Sequence, residues 1–209
     1  EEPEDTARTL AEILVPPVQK TLPDWRTLPD TGLPDTPEEG NTPEEPGADD
    51  WRLTLVNPWN PLPEGYGVTL AQLPNGLSVD ERCLEALEEM LSGCRREGLE
   101  PVVCSAYRTW ARQETLFQNQ VKSFLAQGRG EEEAWIQAGE RVAVPGTSEH
   151  QLGLAVDIVD AGNQKLDHTQ ESTAVQQWLM EHSWEYGFIL RYPSGKSEIT
   201  GIIYEPWHY

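Results

Sequence analysis

Residues 148–159 read Ser148-Glu149-His150-Gln151-Leu152-Gly153-Leu154-Ala155-Val156-Asp157-Ile158-Val159, a polar run that passes a glycine and becomes apolar. The 154–159 half has the composition of a buried strand. A histidine and a carboxylate seven positions apart cannot share one face of a strand by simple alternation. A turn at Gly153 folds His150 back towards Asp157 as the strand begins. The second decisive stretch is Glu205-Pro206-Trp207-His208, on the strand that ends the 209-residue chain. Pro206 forces Glu205 into an extended conformation and removes a ladder donor, so an irregular strand end is expected there. That irregularity lets Glu205 and His208 converge on one point.

Working outward, Ser78-Val79-Asp80-Glu81 has capping-box spacing, with Ser78 as the N-cap. Behind it Cys83, Leu84, Leu87, Met90, Leu91 and Cys94 recur at threes and fours, an amphipathic helix closed by Gly98. Further helices are expected over about 110–126, 131–142 and 173–186, the last stopping at Gly187. Strands are expected over 53–56, 101–105, 154–159, 188–192 and 202–204, with a hairpin-like turn at Gly195. Helices early and strands late suit an α+β domain, an antiparallel sheet with helices packed around it.

The charge balance excludes several functions. Lys plus Arg number 15 against 36 Asp plus Glu, a net of −21. A nucleic-acid binder needs a basic patch to displace counterions, and attraction to anionic lipid needs the same sign. No run of residues is long and apolar enough for a membrane span. Residues 1–50 hold 14 of the acidic side chains, 3 basic ones and 9 of the 17 prolines. Such a segment cannot bury enough surface to offset its ordering entropy, so 1–50 is expected to be a largely disordered linker. Within it, 6–15 has some helical spacing, and Trp25 is a residue able to dock. The globular domain is expected to span 51–209. The three cysteines are too few for a disulfide scaffold. A turn at Gly98 would bring Cys94 and Cys104 within bridging range, leaving Cys83 as a free thiol.

The chemistry follows from the two decisive stretches. Two imidazoles and one carboxylate make a three-ligand zinc site with a fourth position left for water. His150, Asp157 and His208 are the candidate ligands. A further carboxylate that is not a ligand can accept the proton of a metal-acidified water, and Glu205 is that candidate. His168 and His182 lie in a polar loop and on a helix and are read as non-functional. Arg191 and Lys196 are able to attract a substrate carboxylate but are read as solvated hairpin charges.

SEHQLGLAVD (148–157) and EPWH (205–208) resemble the SxHxxGxAxD and ExWH patterns of the VanY-type D-alanyl-D-alanine carboxypeptidases. These are zinc peptidases of the lysostaphin, D-Ala-D-Ala peptidase and sonic hedgehog superfamily. SAYRTWARQ (105–113), LVNPWNPLP (55–63) and the run 184–209 resemble the same family, so the likeness covers about 155 residues from near Trp51 onward. The resemblance implies zinc ligands His150, Asp157 and His208, with Glu205 as general base. It implies that Arg108 holds the developing oxyanion, fitting a guanidinium that stays ionised and offers fixed donors. It implies that Gln113 and Ser148 bind substrate, and Tyr107 and Trp207 are expected to line the cleft. Relatives continue past the final Trp-His-Tyr, and without that continuation the last strand is expected to lose support.

The expected reaction is serine-independent removal of the C-terminal D-alanine from peptidoglycan stem peptides or precursors. In-family alternatives are an L,D-carboxypeptidase trimming tetrapeptide stems and an endopeptidase acting on cross-bridges. A non-catalytic wall-binding module is the alternative of a different class. The protein is expected to be a monomer outside the cytoplasm, anchored to the membrane only through a segment upstream of this chain, with 1–50 as a spacer.

Overall fold

The computed structural model describes residues 50–62 and 65–209. The linker 1–50, with its 6–15 segment and Trp25, lies almost wholly outside the described residues. A short antiparallel pair, β1 (Leu70–Gln72) and β2 (Ser78–Asp80), leads into helix α1 (Glu81–Arg96). Strand β3 (Pro101–Ser105) is followed by α2 (Trp110–Ala126) and α3 (Glu131–Gly139). Strand β4 (Asp157–Asp160) pairs antiparallel with β3, and α4 (Ala174–His182) and the single turn α5 (Ser197–Thr200) complete the order. Among the described residues no helix is long and apolar enough to cross a membrane.

The α+β expectation holds, and the departures from the expected elements have physical reasons. The 53–56 strand does not form: Trp51–Leu53 is a 3-10 turn whose Asp50 side chain caps the Arg52 amide, and among the described residues 54–56 join no strand pairing. Helix α1 begins at Glu81 and is capped by Asp80, whose side chain accepts from the Arg82 N–H, while Ser78 lies two residues upstream, paired with Gln72 of β1. The expected strands 188–192 and 202–204 do not form as strands. Their work is done by single contacts: Arg191 N–H donates to His208 O at 3.1 Å, and Glu205 N–H to Tyr192 O at 3.1 Å.

The main core lies between α1, α4 and the β3–β4 pair. Leu87, Met90, Leu91 and Cys94 of α1 meet Val103, Val156, Ile158, Val175 and Leu179. Phe117 and Phe124 of α2 pack separately on Ala134 and Ala138 of α3. The chain end is well supported, contrary to expectation. Tyr209 exchanges backbone hydrogen bonds with Val156 at 2.9 and 3.0 Å, and its hydroxyl donates to Gln176 Oε1 at 3.1 Å in the core.

The Cys94–Cys104 bridge is also corrected, since all three cysteines are free. Val103 pairs with Ile158 and Ser105 with Asp157, so Cys104 is the extra residue of a β-bulge. The bulge turns Cys104 outward, its thiol 3.4 Å from Asp157 O, whereas Cys94 sits in the core. Titration of unfolded, unreduced protein should find three thiols per chain; a single one would restore the bridge.

Gly153 closes the 3-10 turn Glu149–Leu152 with a left-handed φ of 77°. A Cβ there would meet the Asp80 amide nitrogen and a Val68 methyl at 3.0 Å. Gly153→Ala should therefore lower unfolding stability by about 1–3 kcal/mol in a urea titration, the cost of strained backbone at one residue. An unchanged midpoint would show that the turn is not strained.

Candidate active site

Three chain segments meet at the start of β4. His150 comes from the Glu149–Leu152 turn and Asp157 from the first position of the strand. His208 is bridged to Asp157 across the chain end. The turn at Gly153 brings His150 back, its Nε2 lying 3.2 Å from Asp157 Oδ2. The second convergence is a tight turn rather than a frayed strand. His208 N–H donates to Glu205 O at 3.2 Å, with Pro206 at the second position, where its fixed φ is favoured. Glu205 Oε2 thereby lies 3.6 Å from His208 Nδ1.

The donor atoms of His150, Asp157 and His208 all lie within 4.8 Å of one another and are buried. This set fits a zinc ion by its donor chemistry. His150 Nδ1 is 2.8 Å from Ala106 O, so it carries the proton and leaves Nε2 as a lone pair facing the centre. His208 presents the other nitrogen: Nδ1 is 3.0 Å from Asp157 Oδ1 and Nε2 is 3.2 Å from Glu149 Oε2. Two differently oriented imidazoles and one carboxylate leave a fourth direction open, the arrangement of a catalytic rather than a structural site.

Electrostatics separates the groups. Burial pushes His150 below its ordinary value, so it is a neutral ligand. Burial works against Asp157, yet the adjacent imidazoles hold its carboxyl well below the usual range. Burial opposes charge on His208 too, but hydrogen bonds to Asp157 and Glu149 push it up to about 10 without a metal. A cation competes with that proton, so metal binding here releases one. Burial raises Glu205 to about 8, with the Asp157 charge adding to the effect and His208 opposing it.

A cavity of about 310 Å³ opens on this centre. Arg108, Ser148, His150, Asp157, Glu205, Trp207 and His208 line it, alongside Leu116, Val142, Ala143, Ile202 and Ile203. Arg108 Nη2 lies 2.8 Å from Asp157 Oδ2, and Ser105 Oγ accepts from its Nε and Nη2 at 3.0 and 2.8 Å. Tyr107 and Gln113 stand elsewhere. Gln113 is fully buried behind Arg108, its amide donating to Ala143 O at 2.7 Å, and Tyr107 is half-buried with its backbone N–H on Ser78 O. His182 is on the end of α4, bonded to Glu185, and His168 begins a surface 3-10 turn. Lys196 is solvent-exposed as expected.

Arg191 is corrected. It is no solvated charge: its Nε and Nη2 lie 2.9 and 2.5 Å from Glu149 Oε1, behind the metal centre. The sequence reading missed Glu149 and Tyr192, the latter with its ring centroid 4.6 Å from that of His208. Glu149 sits inside the quoted motif beside a ligand, which was the signal available for it.

An open three-ligand centre with an uncoordinated buried carboxylate beside it defines a zinc-dependent metallopeptidase. The chain belongs to the VanY family: the family's model, described as D-alanyl-D-alanine carboxypeptidase, matches residues 76–209. A D-alanyl-D-alanine carboxypeptidase of Enterococcus faecalis is 42% identical over 191 residues, covering 90% of this chain and 69% of that protein. The solved structure of VanYB in complex with D-alanine-D-alanine is similar at a TM-score of 0.71. It is 45% identical, over 77% of this chain and 86% of that one. A vancomycin-resistance D,D-pentapeptidase VanY mutant in complex with Zn(II) gives 0.70 at 44% identity, over 77% and 87%.

The division of labour between ligand and base is testable. Asp157→Ala should strip the protein of its zinc. Glu205→Gln should retain zinc and lose about two to four orders of magnitude in rate, the usual contribution of a general base. Elemental analysis beside single-turnover rates checks both, and metal loss in Glu205→Gln would make Glu205 a ligand.

Proposed function

We infer that this chain removes the C-terminal D-alanine from peptidoglycan stem peptides that end in D-Ala-D-Ala. The carrying observation is the open His150–Asp157–His208 centre with Glu205 free at 3.6 Å from a ligand nitrogen, in a fold shared with VanYB bound to D-alanine-D-alanine. When bound, zinc supplies Lewis acidity, acidifying water and polarising a carbonyl.

The chain's own residues do the rest. Glu205 takes a proton from the attacking water and later returns it to the leaving amine. Its raised pKa suits a group that must both accept and donate near neutrality. Arg108 faces the carbonyl oxygen as negative charge develops there, and its orientation is fixed in advance by Ser105 and Asp157. The walls of Leu116, Val142, Ala143, Ile202 and Ile203 offer apolar contact to small methyl side chains. Ser148 and Trp207 border the cavity where a peptide backbone would lie. The same reading makes the protein extracytoplasmic, because stem peptides are. The acidic 1–50 segment would then act as a spacer between the catalytic domain and an anchor.

The test compares kcat/KM on a pentapeptide ending in D-Ala-D-Ala with that on the matching tetrapeptide, whose final D-Ala follows an L-centre of diaminopimelate or lysine. The pentapeptide should be cleaved faster. Steric rejection in a formed pocket is worth about 1–3 kcal/mol per misplaced group, roughly 10- to 200-fold. A tetrapeptide preference of tenfold or more would make the protein an L,D-carboxypeptidase, and no cleavage of either would leave the wall-binding reading.

A further inference from the structure

His150 and His208 are held in their orientations by different means. His150 has the Ala106 carbonyl on its outer nitrogen, a backbone acceptor that no substitution can remove. His208 has a side chain there, Glu149 Oε2 at 3.2 Å from Nε2. Glu149 is buried, does not line the cavity, and gives its other oxygen to Arg191. Arg191 in turn donates its backbone N–H to His208 O at 3.1 Å. The contacts close a ring: His208 ring to Glu149, Glu149 to the Arg191 guanidinium, Arg191 backbone to the His208 backbone. Tyr192 covers the imidazole from one side, its ring centroid 4.6 Å away.

We propose that Glu149, anchored by Arg191, is the positioning residue of the metal centre. It accepts the Nε2–H of His208, turns the Nδ1 lone pair towards the ion, and so sets how tightly the chain holds zinc. This rests on the zinc-peptidase reading above, but its consequences are read on the metal rather than on turnover. The geometry gives Glu149 no contact with the cavity, so a role in binding or cleaving the peptide is not open to it. Arg191 supplies what a buried carboxylate needs, a paired cation that keeps it ionised and fixed. Outer-shell acceptors of this kind typically contribute about 10- to 100-fold to metal affinity.

Zinc affinity is measured by competition with a chromophoric chelator for the wild type, Glu149→Leu, Glu149→Gln and Arg191→Met. Glu149→Leu, which has no acceptor, should bind zinc about 10- to 100-fold more weakly. Glu149→Gln, whose amide oxygen still accepts, should recover most of that loss. Arg191→Met should fall between the wild type and Glu149→Leu. Nitrogen-15 NMR of the zinc-loaded wild type should find the His208 proton on Nε2. Wild-type affinity in Glu149→Leu, or a Glu149→Gln as weak as Glu149→Leu, overturns the proposal. So does a His208 proton on Nδ1. Should Glu149→Leu not fold, Arg191→Met and the NMR decide: unchanged affinity in the former or the wrong tautomer in the latter overturns it. A wild type that binds no zinc overturns the peptidase reading itself, whereas tight zinc in Glu149→Leu overturns this proposal alone.

Discussion

One buried carboxylate organises this molecule. Asp157 Oδ1 lies 3.0 Å from His208 Nδ1, while Oδ2 lies 3.2 Å from His150 Nε2 and 2.8 Å from Arg108 Nη2. Taking a carboxylate out of water costs several kcal/mol unless partners replace the lost hydration, so each of these contacts is a requirement on the fold. The bulge at Cys104 sets Ser105 opposite Asp157, where its hydroxyl fixes Arg108. The left-handed turn at Gly153 returns His150, and the bridge between Asp157 and His208 brings in the chain end. Tyr209 then anchors that end in the same core that α1 and α4 build. A change that moves the start of β4 therefore disturbs the three candidate ligands and Arg108 together.

What the sequence disclosed divides along local and non-local lines. The long helices were legible because α1 and α2 repeat their apolar residues over four or more turns, and β3 because Pro101-Val102-Val103-Cys104-Ser105 is a short, largely apolar run of buried-strand composition. The strands near the C-terminus were not. Segments 188–192 and 202–204 have strand composition, yet each makes only isolated contacts, so composition there does not report pairing. Ser78 looked like an N-cap because a capping box is a local pattern, and the β1–β2 pairing that claims it is not. The cluster of His150, Asp157 and His208 was legible from type and spacing. The support behind them was not, because Glu149 and Arg191 are 42 positions apart and each reads as an ordinary surface charge by itself. Gln113 shows the reverse case. It was singled out for a substrate role by resemblance, and it is spent behind Arg108 on the Ala143 carbonyl.

Glu149 and Glu205 both approach His208, and their surroundings drive them apart. Burial raises each carboxyl, so the difference must come from the donors. Glu149 accepts from His208 and from two nitrogens of Arg191, which outweigh burial and bring it down to about 2. Glu205 makes no comparably short ion pair, so burial wins and it rises to about 8. The first is thereby a permanent anion able to hold an imidazole in one orientation. The second can exchange a proton near neutral pH. Surroundings that push two carboxyls apart in this way are how one site gives them distinct acid-base roles. In the proposed mechanism the guanidinium behind the site thus acts from outside the cavity: it commits Glu149 to structure and leaves Glu205 for the proton.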